Sequence, residues 1–113
     1  MYTIRVTQDD IYSGKRGCGK RCAVARAVKR EFSKKGLCPY VESDGSIFLY
    51  KESNKINNSF KNPHDYYLDI LDDGELADVQ SFIYNFDEVI AVKPMQFKVE
   101  LIERSYSTIV KYV

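Results

Sequence analysis

Arg21-Cys22-Ala23-Val24-Ala25-Arg26-Ala27-Val28-Lys29-Arg30-Glu31-Phe32 decides how this chain folds. Val24, Val28 and Phe32 recur every four residues, and Ala23 and Ala27 widen that face, the pattern of an amphipathic helix laid on a core. Arg26, Lys29, Arg30 and Lys34 fall on the opposite face, and Gly36 is of the type that stops a helix in a left-handed conformation. Upstream, Tyr2, Ile4 and Val6 alternate with polar neighbours as in a half-buried strand. Thr7 followed three positions later by Asp10 offers a capping arrangement for a short turn ending at Gly14. A glycine-rich basic loop, Lys15 to Gly19, links that turn to the long helix.

Downstream, Cys38 to Glu42 and Ile47 to Lys51 are rich in aromatic and β-branched residues and flank Asp44-Gly45, which reads as a hairpin. Lys51 to Pro63 is polar and asparagine-rich, as an exposed loop is. Tyr66 to Leu71 fits either strand or helix. Leu76, Val79, Ile83 and Phe86, with Phe82 beside them, mark a second amphipathic helix after Gly74. Phe97 to Leu101 alternates as a strand, and Tyr106 to Val113 adds an edge strand or wraps over the core. The expected fold is a single α+β domain over residues 1–113, with two main helices and a short antiparallel sheet. A length of 113 residues allows one modest core, and 44% hydrophobic content is enough to build it.

Three cysteines and the single histidine make one possible tetrahedral set, Cys18, Cys22, Cys38 and His64. Three, fifteen and twenty-five residues intervene between successive members, so the first pair fits a zinc knuckle and the others come from elsewhere in the fold. Zinc is therefore the expected cofactor and a structural staple for a small core. The neighbouring Lys15, Arg16, Lys20 and Arg21 are expected to lower the thiol pKa values. The alternative is buried free cysteines acting as small apolar residues, beside an unrelated surface histidine. An odd cysteine count excludes a complete intramolecular disulfide framework. With no signal-peptide pattern at Met1 to Thr7 and no apolar run of membrane-spanning length, the expectation is a soluble cytoplasmic protein whose thiols stay reduced.

Charge is segregated along the chain. The formal net charge is only +1, yet Lys15 to Lys35 holds nine basic residues against the single Glu31, while His64 to Glu88 holds eight acidic residues and no Lys or Arg. The two segments either face each other, solvate opposite surfaces, or meet a charged partner. Asp72, Asp73, Glu75 and Asp78 are the candidate partner-binding residues on the acidic side. The basic helix over residues 20–35 is the candidate phosphate-gripping element on the other. Enzymatic chemistry is not expected. A closed four-ligand zinc site leaves no open coordination position, and Gly14, Gly17 and Gly19 lack the order of a phosphate-binding loop.

Two segments carry a resemblance. Ile4-Arg5-Val6-Thr7-Gln8-Asp9-Asp10-Ile11, followed by Cys22-Ala23-Val24-Ala25-Arg26-Ala27-Val28-Lys29-Arg30, is similar to the start of small proteins encoded by bacteriophages and prophages. Ser81-Phe82-Ile83-Tyr84-Asn85-Phe86-Asp87, then Val92-Lys93-Pro94 and an alternating strand through Leu101, resembles the pattern near their end. The stretch Leu37 to Leu71, with Cys38 and His64, matches nothing in that pattern. A small, charge-segregated, zinc-stabilised phage protein resembles the anti-CRISPR inhibitors of type II systems. The resemblance implies stoichiometric binding to the type II-A RNA-guided DNA nuclease in the cytoplasm of an infected bacterial host, blocking target DNA loading or cleavage. The Lys-, Asn-, Ile- and Tyr-rich composition suits a phage of a low-GC Gram-positive host. The alternative function is a phage or prophage nucleic-acid-binding regulator that uses the basic helix.

Overall fold

The computed structural model describes residues 1–51 and 65–103. Strand β1 (Tyr2–Val6) leads into helix α1 (Gln8–Ser13), a loop, and helix α2 (Ala23–Phe32), which tightens into a 3₁₀ turn at Ser33–Lys35. Strands β2 (Leu37–Val41), β3 (Ile47–Lys51) and β4 (Tyr66–Ile70) follow, then helix α3 (Asp73–Asp87) and strand β5 (Met95–Glu103). The strands form one antiparallel sheet in the order β1-β5-β4-β3-β2. Tyr66 to Ile70, which the sequence left open, is a strand, because its backbone groups are taken by β3 on one side and β5 on the other. The exposed loop expected up to Pro63, from residue 52 on, and the terminal strand expected over Tyr106 to Val113 lie outside the described residues. Among the described residues no helix is long and apolar enough to cross a membrane.

The sheet curls. β1 and β2 stand at opposite edges, yet α2 packs against both of them. The alternation of each strand sends one set of side chains inward: Ile4 and Val6, Leu37 and Val41, Ile47 and Leu49, Leu68 and Ile70, Phe97 and Val99, all buried. Against them lie Val24, Val28 and Phe32 of α2, fully enclosed, with Ala23, Ala25 and Ala27 letting the helix approach closely. Val79, Phe82, Ile83 and Phe86 of α3 complete the same core, at the helical spacing expected of them. Gly36 adopts φ +71° and ends the helical turn where the sequence placed the stop. The hairpin turns at Gly45, whose φ of +92° would strain any residue with a side chain and which lies close to Gln80 on α3.

One buried polar side chain ties the helices to each other. Asp10 has no exposed surface. Its carboxylate accepts the Thr7 N–H at 2.9 Å while the Thr7 hydroxyl accepts the Asp10 N–H at 3.2 Å, closing the capping box that the sequence suggested. The same carboxylate pairs with the Arg30 guanidinium and lies 3.5 Å from Nε of Arg26, joining α1 to α2. Arg26 also reaches Asp9 at 3.3 Å. Burial on its own pushes the Asp10 carboxyl upward, but the Thr7 N–H and the Arg30 guanidinium outweigh it and hold the group below its ordinary value.

A carboxyl whose pKa is depressed in the folded state stabilises the fold above its unfolded pKa, and that stabilisation is lost as pH falls through the folded value. Replacement Asp10→Asn is expected to lower unfolding free energy at neutral pH by about 1.5–3 kcal/mol, the worth of charge-assisted hydrogen bonds. The gap between wild type and variant is expected to narrow below about pH 4, where the aspartate begins to protonate in the unfolded chain. Urea denaturation of both proteins at neutral and acid pH measures this. A gap that widens on acidification would contradict it.

Candidate functional site

The described residues singled out from sequence fall in the cysteine loop between α1 and α2, on β2, on the basic face of α2 and on the exposed face of α3. The loop is tied down by main-chain bonds. Lys15 N–H meets Arg21 C=O at 2.8 Å, and Cys22 N–H meets Cys18 C=O at 2.9 Å. Gly17 N–H is accepted by the Asp87 carboxylate of α3 at 2.9 Å. Gly19 C=O accepts Val41 N–H at 2.8 Å, extending the edge of β2. A side chain at position 19 would collide with that same strand, so glycine is required there. Between the loop, the end of β2 and α3 lies a cavity of about 300 Å³, lined by Cys18, Cys22, Tyr40, Phe82, Phe86 and Asp87 among others.

Cys18 and Cys22 come together as the knuckle spacing suggested, but Cys38 does not join them. Leu37, Cys38 and Pro39 alternate along β2; Leu37 and Pro39 are buried, while Cys38 is half-buried on the other face, opposite Tyr50 of β3. Cys22 is buried as the N-cap of α2, its sulfur accepting the Ala25 N–H at 3.4 Å. Burial pushes the Cys22 thiol above its ordinary value, and nearby Asp87 and Cys18 add to the rise. That corrects the expectation that surrounding cations lower it. Arg16, one of those cations, sits instead over the Phe86 ring at 5.0 Å from its centroid. His64 lies outside the described residues. Among the described residues no three His, Cys, Asp or Glu side chains are grouped to hold a metal ion. Among the described residues Cys18, Cys22 and Cys38 are not gathered around one point, and the Cys22 sulfur acts as a helix cap.

The basic face of α2 is partly engaged within the fold. Arg26 and Arg30 are engaged by Asp9 and Asp10. Lys29, Lys34 and Lys35 are exposed around them. The sequence contained the signal, since Asp9 and Asp10 precede the helix, but nothing in it says that α1 folds back beside α2.

The acidic residues have divided roles. Asp72 is the N-cap of α3 and accepts the Glu75 N–H at 2.8 Å. Glu75 is half-buried and accepts Lys98 N–H of β5 at 3.3 Å. Asp73 and Asp78 stay exposed. At helical spacing Asp73, Ala77, Ser81, Tyr84 and Glu88 run along one exposed strip of this helix, and no Lys or Arg occurs between His64 and Glu88 to offset its carboxylates. α3 closes with Val89 N–H on Phe86 C=O at 3.3 Å and Ile90 N–H on Asn85 C=O at 2.8 Å, a Schellman arrangement. The residue in its left-handed position is Val89, at φ +62°. Glycine normally stands there, and a β-branched residue so placed costs about 1–3 kcal/mol.

Comparison with protein-family models, with curated proteins and with solved structures finds no match for this chain.

Cys22→Ala is expected to remove the cap and cost about 0.5–2 kcal/mol, whereas Cys22→Ser supplies a hydroxyl in the same place and costs less. Thermal melts of both variants, with elemental analysis of the purified wild type, check this. Equal collapse of the two, with loss of about one bound zinc per chain, would return the thiol to the role of metal ligand.

Proposed function

We propose that this protein is a phage-encoded inhibitor of the anti-CRISPR kind, which binds the type II-A RNA-guided DNA nuclease stoichiometrically and blocks target DNA loading or cleavage. The observation that supports this reading is the exposed strip of α3, carboxylates at both ends and no cation along it. A rigid helix presenting fixed negative charge matches a groove built to take the phosphates of DNA, and such complementarity both speeds encounter and sets register. The helix is well supported for that purpose, with its opposite face buried in the core and its ends tied to β5 and to the cysteine loop. The partner is a protein, and the host cytoplasm is the compartment in which it is met.

The regulator reading loses ground because Arg26 and Arg30, half of its basic face, are spent on Asp9 and Asp10. The proposed contact needs no metal. Zinc held from Cys18 and Cys22 would staple the loop to α2 without entering the contact.

Asp73, at the head of the strip, and Asp78, exposed on the adjoining face of α3, are the carboxylates to change, since Asp72 and Glu75 also serve the fold. The double reversal Asp73→Lys with Asp78→Lys is expected to weaken inhibition of guide-loaded nuclease by about tenfold or more, because it sets like charge against a basic groove. Asp73→Lys places a cation at the N-terminus of α3 and is expected to cost about 0.3–1 kcal/mol, lowering the melting temperature modestly without unfolding the domain. Cleavage assays titrated with wild type and variant measure it. Undiminished inhibition by the reversed variant would remove α3 from the mechanism, and no inhibition by the wild type would refute the function.

A further inference from the structure

Cys18 and Cys22 are free thiols that line one cavity and stand a single turn apart. The Cys18 C=O accepts the N–H of Arg21 at 3.2 Å and that of Cys22 at 2.9 Å. A turn closed in this way sets its first and last Cα atoms about 6 Å apart, within the span of a disulfide. The two side chains also sense each other, since Cys18 contributes to the rise of the Cys22 thiol. Cys38 lies apart on β2, opposite Tyr50 of β3.

The two thiols differ as the members of a reactive pair do. Cys18 is half-buried and so partly open to solvent, whereas Cys22 is only 6% exposed. Burial, with Asp87 beside it, keeps Cys22 protonated at neutral pH. A reagent arriving from solvent therefore meets Cys18 first, with Cys22 behind it in the same cavity.

We infer that Cys18 and Cys22 form a redox-active dithiol, in which Cys18 attacks a low-molecular-weight disulfide and Cys22 resolves the product. The Cys18 thiolate attacks one sulfur of the external disulfide, so that a mixed disulfide forms on Cys18 and one external thiolate leaves. The Cys22 thiol then gives up its proton, its sulfur attacks Cys18 Sγ, and the second external thiolate leaves. The two departing thiolates take up the two cysteine protons. Two protein thiols are oxidised by two electrons, and one external disulfide is reduced to two thiols.

The position of the pair gives the reaction a structural reading. Cys22 caps α2, and Gly17, next to Cys18, is bound to Asp87 of α3. Ring closure acts where the loop is held between both helices, and reduction reverses it. This assignment stands independently of the inhibitor reading.

The test equilibrates reduced protein with mixtures of reduced and oxidised glutathione, in buffer and in urea, followed by acid quenching, thiol titration and peptide mapping. Lys20 and Arg21 lie between the two cysteines, so their tryptic peptides stay joined only through a Cys18–Cys22 bond. The folded wild type is expected to lose two of its three thiols and to recover them with dithiothreitol. Its equilibrium constant for ring closure is expected to exceed that of the urea-unfolded chain by about tenfold or more, because the fold holds the pair together. Cys38→Ser is expected to react as the wild type does, and Cys22→Ser to stop with one glutathione joined to Cys18. Retention of all three thiols, a bond to Cys38, or an equilibrium constant no greater than in urea would overturn the dithiol. A Cys22→Ser variant that acquires no glutathione would overturn Cys18 as the point of attack.

Discussion

The structure depends on α2 being gripped by both edges of one sheet. Val24, Val28 and Phe32 supply an apolar face too wide for a single strand to cover, and small residues at 23, 25 and 27 let strands approach on either side. β1 and β2 both reach it because the sheet between them curls, and the alternating inward residues of all five strands then converge on one core. α3 fills the remaining side. Everything exposed on the surface follows from this enclosure: the basic flank of α2 with its ion pairs, the cysteine loop at its start, and the acidic strip of α3.

Much of this was legible in the chain. The periodicities of α2 and α3, the Thr7–Asp10 capping box, the Asp44-Gly45 turn and the alternation of β1 and β5 each express a local preference that the fold honours. β4 was ambiguous because Tyr66 to Ile70 is short and its strand form is decided by neighbours distant in sequence. The pairing of Asp10 with Arg30 was illegible for the same reason: it joins residues twenty positions apart and exists only because α1 lies beside α2. Cysteine spacing could place Cys18 near Cys22, but not say which face of β2 Cys38 takes, nor that Cys22 would cap a helix. The left-handed backbone of Val89 breaks a local rule and so leaves no trace in a pattern built on local rules.

The charge pattern changes meaning once placed in three dimensions. In sequence the basic segment is the stronger polyelectrolyte, with nine cations against one anion. In the fold its two central arginines neutralise the buried and exposed aspartates of α1, serving stability. The acidic segment gives Asp72 to a helix cap and Glu75 to a strand amide, yet keeps Asp73, Asp78 and Glu88 at the surface of one rigid helix. A carboxylate strip with a tyrosine on it is the surface on which the proposed inhibitor contact rests.

Hydroxyl-radical footprinting of the protein alone and with guide-loaded type II-A nuclease tests this account most directly. Tyr84 on α3 and Tyr12 on α1 are both open to the reagent, at 62% and 81% exposure, and they lie on different elements of the same small domain. The account predicts that Tyr84 becomes protected in the complex while Tyr12 is modified as before. Protection of Tyr12 alone, or of neither tyrosine in a complex that has formed, would contradict it.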